Sequence, residues 1–357
     1  MDWKAWLGGL VAVVLAGCAA PSGGPRPEGA PAEQAPAPAV AEAADPAAAQ
    51  PARPTERLVL ALPVVTGVFA PHILARDKGF FREEGFDVEF PIMRANLVVT
   101  ALSAGEADYD GMIGPSIPPI LSGQPQRVVG AVVVKSTREL TVIPEIQSIE
   151  QLRGKAIGVN SIGGGPYNSG QIAFQAFGLD PKRDVTWLQV GGTPERLASM
   201  QQGGIQASIF SGSEVPLAHA AGYPSILRLD DVAPLPESGL TTTIARIESD
   251  RDQVKRVLRA MVRSLQFLKS DREGSLPTFM SYLDLSREDA IQAYDAMAFA
   301  YGTDGTVPER TLRFAIDAEK EPLGITEDVT FSRVADFGPL YELLGEMGIT
   351  PAPDSAR

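Results

Sequence analysis

The alternation of short apolar runs with amphipathic segments restricts the fold of this chain more than any other feature. Residues 58–62 read Leu-Val-Leu-Ala-Leu, a continuous apolar run typical of a strand buried on both faces of a parallel sheet. Residues 73–79 then predict a helix. Further strands are predicted at residues 86–92, 109–113, 128–134, 157–159, 185–188 and 207–210, with helices between them. This strand–helix alternation predicts an α/β fold.

Two segments within this pattern have similar sequences and the same spacing. Residues 103–108 end a predicted helix at a glycine and lead into the strand and small-residue loop of residues 109–114. Residues 201–206 lead into residues 207–212 in the same way. The repeat predicts two halves of similar topology.

From Ser249 onward the chain is predicted to be mainly helical. Seven apolar residues at spacings of three and four form one face of a helix: Val254, Val257, Leu258, Met261, Val262, Leu265 and Leu268. Ser286 and Asp289 resemble a capping box for a helix that runs to about residue 299, and Asn96 is predicted to cap an earlier helix. Two more helices are predicted near residues 309–320 and 336–347.

The composition excludes several classes of function. The chain has 31 Lys and Arg against 44 Asp and Glu, a net charge of −13, which argues against a nucleic-acid partner because phosphates are bound by clustered cations. One cysteine and two histidines cannot supply a Cys/His metal cluster or a disulfide within the chain. No Ser-His-Asp order or close pair of acids stands out, and no cofactor is predicted.

The N-terminus resembles an export signal of the lipoprotein type. Residues 1–17 contain Lys4 and an apolar run at residues 6–16 that is too short to span a bilayer of roughly 30 Å. Residues 15–18, Leu-Ala-Gly-Cys, look like a bacterial lipobox, which implies cleavage before Cys18 and acylation of that residue. The alternative is a plain signal peptide that contains a cysteine.

An Ala/Pro-rich linker is predicted to follow at residues 18–56. Val40 is the only large aliphatic side chain after Cys18 in this segment. Such a segment buries too little apolar surface to offset its loss of conformational entropy, so we expect it to be disordered or extended. It would connect the lipid to a folded domain that begins near Arg57, and residues 350–357 would form a short tail.

The predicted topology also nominates loops that could bind a ligand. In open α/β sheets, ligands bind beyond the carboxyl ends of the strands, at the loops that lead into helices. The ligand-binding candidates from these loops are Thr66, Phe69, Arg94, Asn96, Ser116, Ser161, Gly163, Gly164, Gly165, Tyr167, Asn168, Ser213 and Glu214.

The candidate residues suggest different kinds of contact, each with an alternative. Three glycines at residues 163–165 before a helix allow the backbone to approach a ligand and favour an anion, or they form only a flexible turn. Arg94 could clamp a carboxylate or sulfonate, or lie exposed on the surface. Phe69 and Tyr167 could stack on a heterocycle, or pack in the core.

Three segments resemble those of a known family. Residues 69–88 look like the opening helix and second strand of type II periplasmic solute-binding proteins, in the branch of alkanesulfonate, nitrate, taurine and thiamine-precursor receptors. Residues 101–108 and 149–159 also match, and the resemblance covers about residues 58–347. The first segment is the more specific one, since the other two occur in many branches.

The resemblance implies a two-lobed clamshell with mixed sheets flanked by helices. Lobe one would comprise residues 57–138 and 240–349, and lobe two residues 139–239. It implies an extracytoplasmic, monomeric protein that captures a small anionic or heterocyclic solute and delivers it to the permease of an ABC importer. Two alternatives remain at this point, an enzyme on the same scaffold and a lipoprotein sensor. The resemblance argues against the first, because the synthases of this branch use a cysteine-rich motif and this chain has no cysteine after Cys18.

Overall fold

The computed structural model describes residues 55–356. The predicted signal peptide, Cys18 and residues 18–54 of the predicted linker lie outside the described residues. The strands are β1 (Glu56–Ala61), β2 (Phe86–Glu89), β3 (Tyr109–Met112), β4 (Gln126–Val133), β5 (Glu139–Val142), β6 (Ala156–Val159), β7 (Thr186–Gln189), β8 (Ala207–Phe210), β9 (Ser225–Arg228) and β10 (Ser238–Thr243). Strand β1 begins at Glu56, which pairs with Phe86 and was predicted to end the linker.

The helices lie between the strands and after them. They are α1 (Ala70–Asp77), α2 (Phe80–Glu83), α3 (Ala95–Ala104), α4 (Ile117–Leu121), α5 (Gly165–Ala176), α6 (Thr193–Gln201), α7 (Val215–Ala220), α8 (Ile244–Ser249), α9 (Arg251–Ser270), α10 (Arg272–Leu283), α11 (Arg287–Met297), α12 (Glu309–Lys320), α13 (Phe331–Val334) and α14 (Gly338–Glu346). Single 3-10 turns lie at Gly67–Phe69, Gly114–Ser116, Ile149–Leu152 and Leu229–Asp231.

The strands form two five-stranded mixed sheets with the same arrangement. The first sheet has the order β2-β1-β3-β10-β4 and the second β7-β6-β8-β5-β9. In each, three parallel strands are followed by one antiparallel strand, β10 or β5, and then by an edge strand that pairs antiparallel to it. The equivalent positions of β3 and β8 confirm the prediction from the sequence repeat.

Each sheet has its own hydrophobic core. The larger core packs the first sheet against helices that include α1, α9 and α14, and two smaller clusters lie against the second sheet. All seven predicted apolar positions of α9 are at most 2% exposed, because spacings of three and four place them on one helix face. The prediction of that buried face is confirmed.

Of the two predicted helix caps, one is confirmed and the other is wrong. Ser286 accepts a hydrogen bond from the backbone N–H of Asp289 at 3.2 Å, which confirms the capping box. The prediction that Asn96 caps a helix is wrong. The carbonyl of Arg94 already accepts from Leu97 and Val98, so α3 begins at Ala95 and Asn96 lies inside its first turn.

Two chain segments connect the sheets and lie side by side. Residues 134–138 run from β4 to β5, and residues 229–237 return from β9 to β10. The N–H of Glu237 donates to the carbonyl of Val133, and the N–H of Leu229 donates to that of Arg138, both at 2.9 Å. We call these residues the crossing segments.

Candidate functional site

A cavity lies where the carboxyl ends of the parallel strands of the two sheets face each other. The space between its walls amounts to about 410 Å³ including the part open to solvent, and the centre of a water molecule can occupy about 30 Å³ of it. Loops after β1 and β3 and the start of α3 form one wall, the loop after β6 and the start of α5 form the other, and the crossing segments close one end. The lining residues are Pro63, Val64, Thr66, Val68, Phe69, Ala95, Met112, Pro115, Arg138, Asn160, Ser161, Gly164, Gly165, Pro166, Ser211 and Glu237.

Three polar side-chain atoms of this cavity are buried without a hydrogen-bond partner. They are Thr66 Oγ1, Arg138 Nε and Asn160 Oδ1. Buried polar groups in proteins are hydrogen-bonded in the great majority of cases, so three such atoms around one cavity are unusual. Together they offer a hydroxyl, an N–H donor and an amide oxygen acceptor to a molecule in the cavity.

A buried ion pair joins the two crossing segments at the cavity. Arg138 Nη2 lies 3.5 Å from Glu237 Oε2, and both side chains are at most 6% exposed. Glu237 also accepts hydrogen bonds from the N–H and hydroxyl of Thr137 and from the hydroxyl of Ser136. Burial raises the pKa of Glu237 and lowers the pKa of Arg138, and each partner's charge opposes the other's shift.

The start of α5 brings backbone close to Arg138. A Cβ at Gly165 would collide with Arg138 Nη2, so a larger residue at that position would displace the Arg138 guanidinium. Gly163 has a φ of +78°, which also favours glycine, but it is exposed and does not line the cavity. The helix start therefore contributes close backbone and a partial positive charge to this wall.

Several predicted binding residues are already bonded within the protein. Ser213 Oγ accepts from the N–H of Gly67 at 2.8 Å, which connects the loop after β8 to the loop after β1. Ser116 donates to Asp110 at 2.6 Å. Glu214 binds Arg196 and accepts at 2.7 Å from the N–H of Ser211, so its carboxylate is occupied.

The remaining predicted residues divide into three groups. Thr66, Phe69, Ser161, Gly164 and Gly165 line the cavity, and Asn168 lines a smaller cavity that adjoins it. Arg94 and Asn96 are exposed and lie outside the lining. Tyr167 packs edge-on against Trp187 with ring centroids 5.2 Å apart, which is the core-packing alternative.

The sequence reasoning missed Arg138, Asn160 and Glu237. Asn160 directly precedes a nominated loop, so extending that loop by one residue would have included it. Arg138 and Glu237 lie on the crossing segments, which the rule of strand carboxyl ends does not nominate. The only available signal was a pair of opposite charges in the two segments that the resemblance marks as connections between lobes.

Asp110 beneath the cavity makes stability depend on pH. Burial raises its pKa to about 7 from an ordinary 3.8, against the opposing hydrogen bonds from Ser116 and the N–H of Met112. Between these values the folded protein retains a proton that the unfolded chain has released. The contribution of Asp110 to stability is therefore fully present below about pH 4 and is lost as the pH rises to about 7. We expect Asp110→Asn to be more stable than wild type by about 2–4 kcal/mol near pH 8 and equally stable near pH 4.

Urea unfolding across this pH range tests that expectation. The matched control is Asp87→Asn, which changes an exposed aspartate on β2 and should leave the pH profile as it is. An Asp110→Asn variant whose stability changes between about pH 4 and 8 with the same slope as that of wild type would contradict it.

Within residues 55–356, no helix combines the length and apolar character that a bilayer span requires. The same part of the chain contains no group of three or more His, Cys, Asp or Glu side chains placed to hold a metal ion.

Comparisons with known proteins bear on the family and the fold. A family model described as NMT1/THI5 like matches residues 66–274, more than half of the chain. The riboflavin-binding protein RibY of Chloroflexus aurantiacus is 24% identical over 268 residues, which are 72% of this chain and 72% of RibY.

Solved structures with a similar fold include two binding proteins. The periplasmic aliphatic sulphonate binding protein SsuA from Escherichia coli has a TM-score of 0.63 at 17% identity, over 79% of this chain and 92% of SsuA. The periplasmic nitrate-binding protein NrtA from Synechocystis PCC 6803 has a TM-score of 0.67 at 13% identity, over 82% and 89%. The predicted periplasmic-binding-protein fold, with mixed sheets flanked by helices, is confirmed.

Proposed function

The chain belongs to the NMT1/THI5-like family, and we propose on that premise that it is an extracytoplasmic binding protein for a small solute. The solute occupies the cavity between the two sheets and is delivered to the permease of an ABC importer. This role is supported by the family and by neighbours of the same fold that are periplasmic binding proteins.

The observation that carries the proposal is the set of unpartnered polar atoms. Thr66 belongs to the loop after β1, Asn160 to the loop after β6, and Arg138 to a crossing segment. Each part contributes one atom, so a solute must contact all three parts to satisfy them. Burying such an atom without a partner costs about 1–3 kcal/mol, which a hydrogen bond from the solute would recover.

The same arrangement supports a hinge between two lobes. The predicted lobe boundary between residues 239 and 240 would divide β10, so we propose that lobe one comprises residues 56–133 and 238–349 and lobe two residues 139–228, with the crossing segments as the hinge. The solute then stabilises the conformation in which both walls contact it, and the permease recognises that conformation.

The proposed location includes a lipid anchor. Acylation at Cys18 would hold the protein, as a monomer, at the outer face of a membrane, and residues 18–56 would connect the anchor to the binding lobes. More than one acyl chain gives a stable attachment where a single chain does not.

Two conservative substitutions test the proposed site. Thr66→Val and Asn160→Leu remove unpartnered atoms while keeping similar shapes. We expect each to weaken solute binding about tenfold, while the stability of the solute-free protein stays equal or rises, because no existing hydrogen bond is lost. If either side chain had only a structural role, its replacement would instead lower the stability of the solute-free protein.

The measurement is a thermal-shift screen followed by calorimetry. Sulfonates, nitrate, carboxylates, pyrimidines and riboflavin are the probes, and a bound solute raises the Tm as its concentration exceeds the Kd. Thr100→Val is the matched control, since Thr100 is exposed on α3 and donates only to the carbonyl of Asn96. Equal affinities of Thr66→Val, Asn160→Leu and wild type for the solute that binds would refute the site.

A further inference from the structure

The charges of the cavity wall indicate which solutes it accepts. Among the described lining residues, only Arg138 and Glu237 are ionisable. They form an ion pair with 3.5 Å between the nearest atoms, so their charges balance. A solute that enters therefore meets hydrogen-bonding groups without an uncompensated cation.

Glu237 is held as a carboxylate partner of Arg138 by the surrounding segment. Its oxygens accept from the N–H and hydroxyl of Thr137 and from Ser136, and its side chain is fully buried. A negatively charged solute beside Arg138 would compete with a carboxylate that cannot move into water. Placing a second anion there costs desolvation and repulsion together.

A second carboxyl group lies beyond Arg138. The smaller cavity that adjoins the first shares Pro115, Arg138 and Gly165 with it and is also lined by Glu319 of α12. Within residues 55–356, the carboxyl of Glu319 has no hydrogen-bond or ion-pair partner. Burial raises the pKa of this carboxyl to about 7, so above that pH it adds repulsion toward an anion and offers an acceptor to an N–H of the solute.

The start of α5, in contrast to these two carboxyl groups, attracts negative charge. The start of α5 carries a partial positive charge of about half a unit, and Pro166 near that start lacks an N–H. A carbonyl oxygen of the solute satisfies such a partial charge. The other nearby arginine, Arg196, is paired with Glu214 and contributes no free cation.

We propose that this cavity selects a solute without negative charge, whose edge offers both a hydrogen-bond acceptor and an N–H or O–H donor. The acceptor faces Arg138 Nε and the donor faces Asn160 Oδ1. Amides, imides and amino-substituted heterocycles have such edges, whereas nitrate and sulfonates offer acceptors only. The inference rests on the proposed function, because it describes the solute of that same cavity.

The test compares each neutral compound with its anionic counterpart. The pairs are riboflavin and riboflavin phosphate, uracil and orotate, nicotinamide and nicotinate, and ethanesulfonamide and ethanesulfonate, measured by calorimetry near pH 8, where Glu319 is ionised. In parallel, the full-length protein is equilibrated with yeast extract, and any retained solute is identified by native mass spectrometry.

Failure of this inference and failure of the proposed function would give different results. We expect the solute that binds to be uncharged or cationic, with any anionic counterpart at least about tenfold weaker. An anion that binds as tightly as its neutral counterpart, or an anion retained from the extract, overturns the inference and leaves the proposed function standing. Retention of no solute from either source counts against the proposed function itself.

Charge variants give a second test that is independent of solute identity. Glu237→Gln frees the charge of Arg138, and we expect it to reverse the preference within the pair that binds. Glu319→Gln removes a less buried carboxyl, so it keeps the test available if the first variant fails to fold. We expect it to raise the affinity of the anionic member by about threefold or more, while the exposed control Glu321→Gln does not. If the folded variants prefer the neutral member over the anionic member as strongly as wild type does, the inference is overturned.

Discussion

Replacing Arg138 with methionine is expected to destabilise the protein by about 3–5 kcal/mol, the largest effect on stability that we predict. Glu237 would remain buried without its counter-charge, because the hydrogen bonds from Thr137 and Ser136 come from the same short segment and do not bring a cation. The crossing segments would also lose the only ion pair that the described residues form between them.

The double variant separates the charge from the packing. Arg138→Met combined with Glu237→Gln removes both charges, so we expect it to recover most of the lost stability. Arg94→Met is the matched control, because Arg94 is exposed and its loss should change stability by less than about 0.5 kcal/mol. Urea unfolding measures the free energy of unfolding of the single variant, the double variant and the control. A loss of less than about 1 kcal/mol in Arg138→Met would contradict the described role of the pair.

Adding one methyl group at Gly67 is expected to weaken solute binding by about ten- to a hundredfold. A Cβ built at this position lies 2.6 Å from Ser213 Cβ and 3.3 Å from Met297 Cγ. The backbone of Gly67 is fixed on both sides, since its N–H donates to Ser213 and its carbonyl accepts from Tyr301, each at 2.8 Å. The methyl group therefore has to separate the loops after β1 and β8.

The effect should appear in affinity more than in stability. Separation of the two loops disfavours the conformation in which both walls contact the solute, whereas each sheet retains its own core. Calorimetry of Gly67→Ala gives the affinity. Because separation of the loops relieves the clash, the free energy of unfolding of the solute-free protein should change by less than about 1 kcal/mol, below the 1–3 kcal/mol of an overpacked core. Gly345→Ala is the control, because its Cβ meets nothing within 4 Å. Unchanged affinity in Gly67→Ala would show that contact between these loops is not needed.

The sequence predicted the parallel strands and the apolar edge strand β4, but it missed β5, β9 and β10. Strands β1, β6 and β8 are short runs dominated by apolar residues, and their local pattern is sufficient. Strand β10 reads Ser-Gly-Leu-Thr-Thr-Thr and is buried nonetheless, because it lies between β3 and β4. Its burial depends on partners more than a hundred residues earlier in the chain, which no local pattern records.

The candidate site shows the same division between local and non-local information. The rule of strand carboxyl ends identified loops that do line the cavity, but the direction of each side chain depends on its position in the turn. At the start of α3, Ala95 lines the cavity while its neighbours Arg94 and Asn96 are exposed, since successive helical positions point in different directions. Glu214 is occupied by Arg196, a partner that spacing alone does not reveal.

A crystal structure of the protein with the solute that it retains tests the central claim most directly. The account predicts one solute in the cavity between the two sheets, with atoms within hydrogen-bond distance of Thr66 Oγ1, Arg138 Nε and Asn160 Oδ1. A solute bound elsewhere, for example in the surface groove along the edge strand β9, with these three atoms still unpartnered, would contradict it.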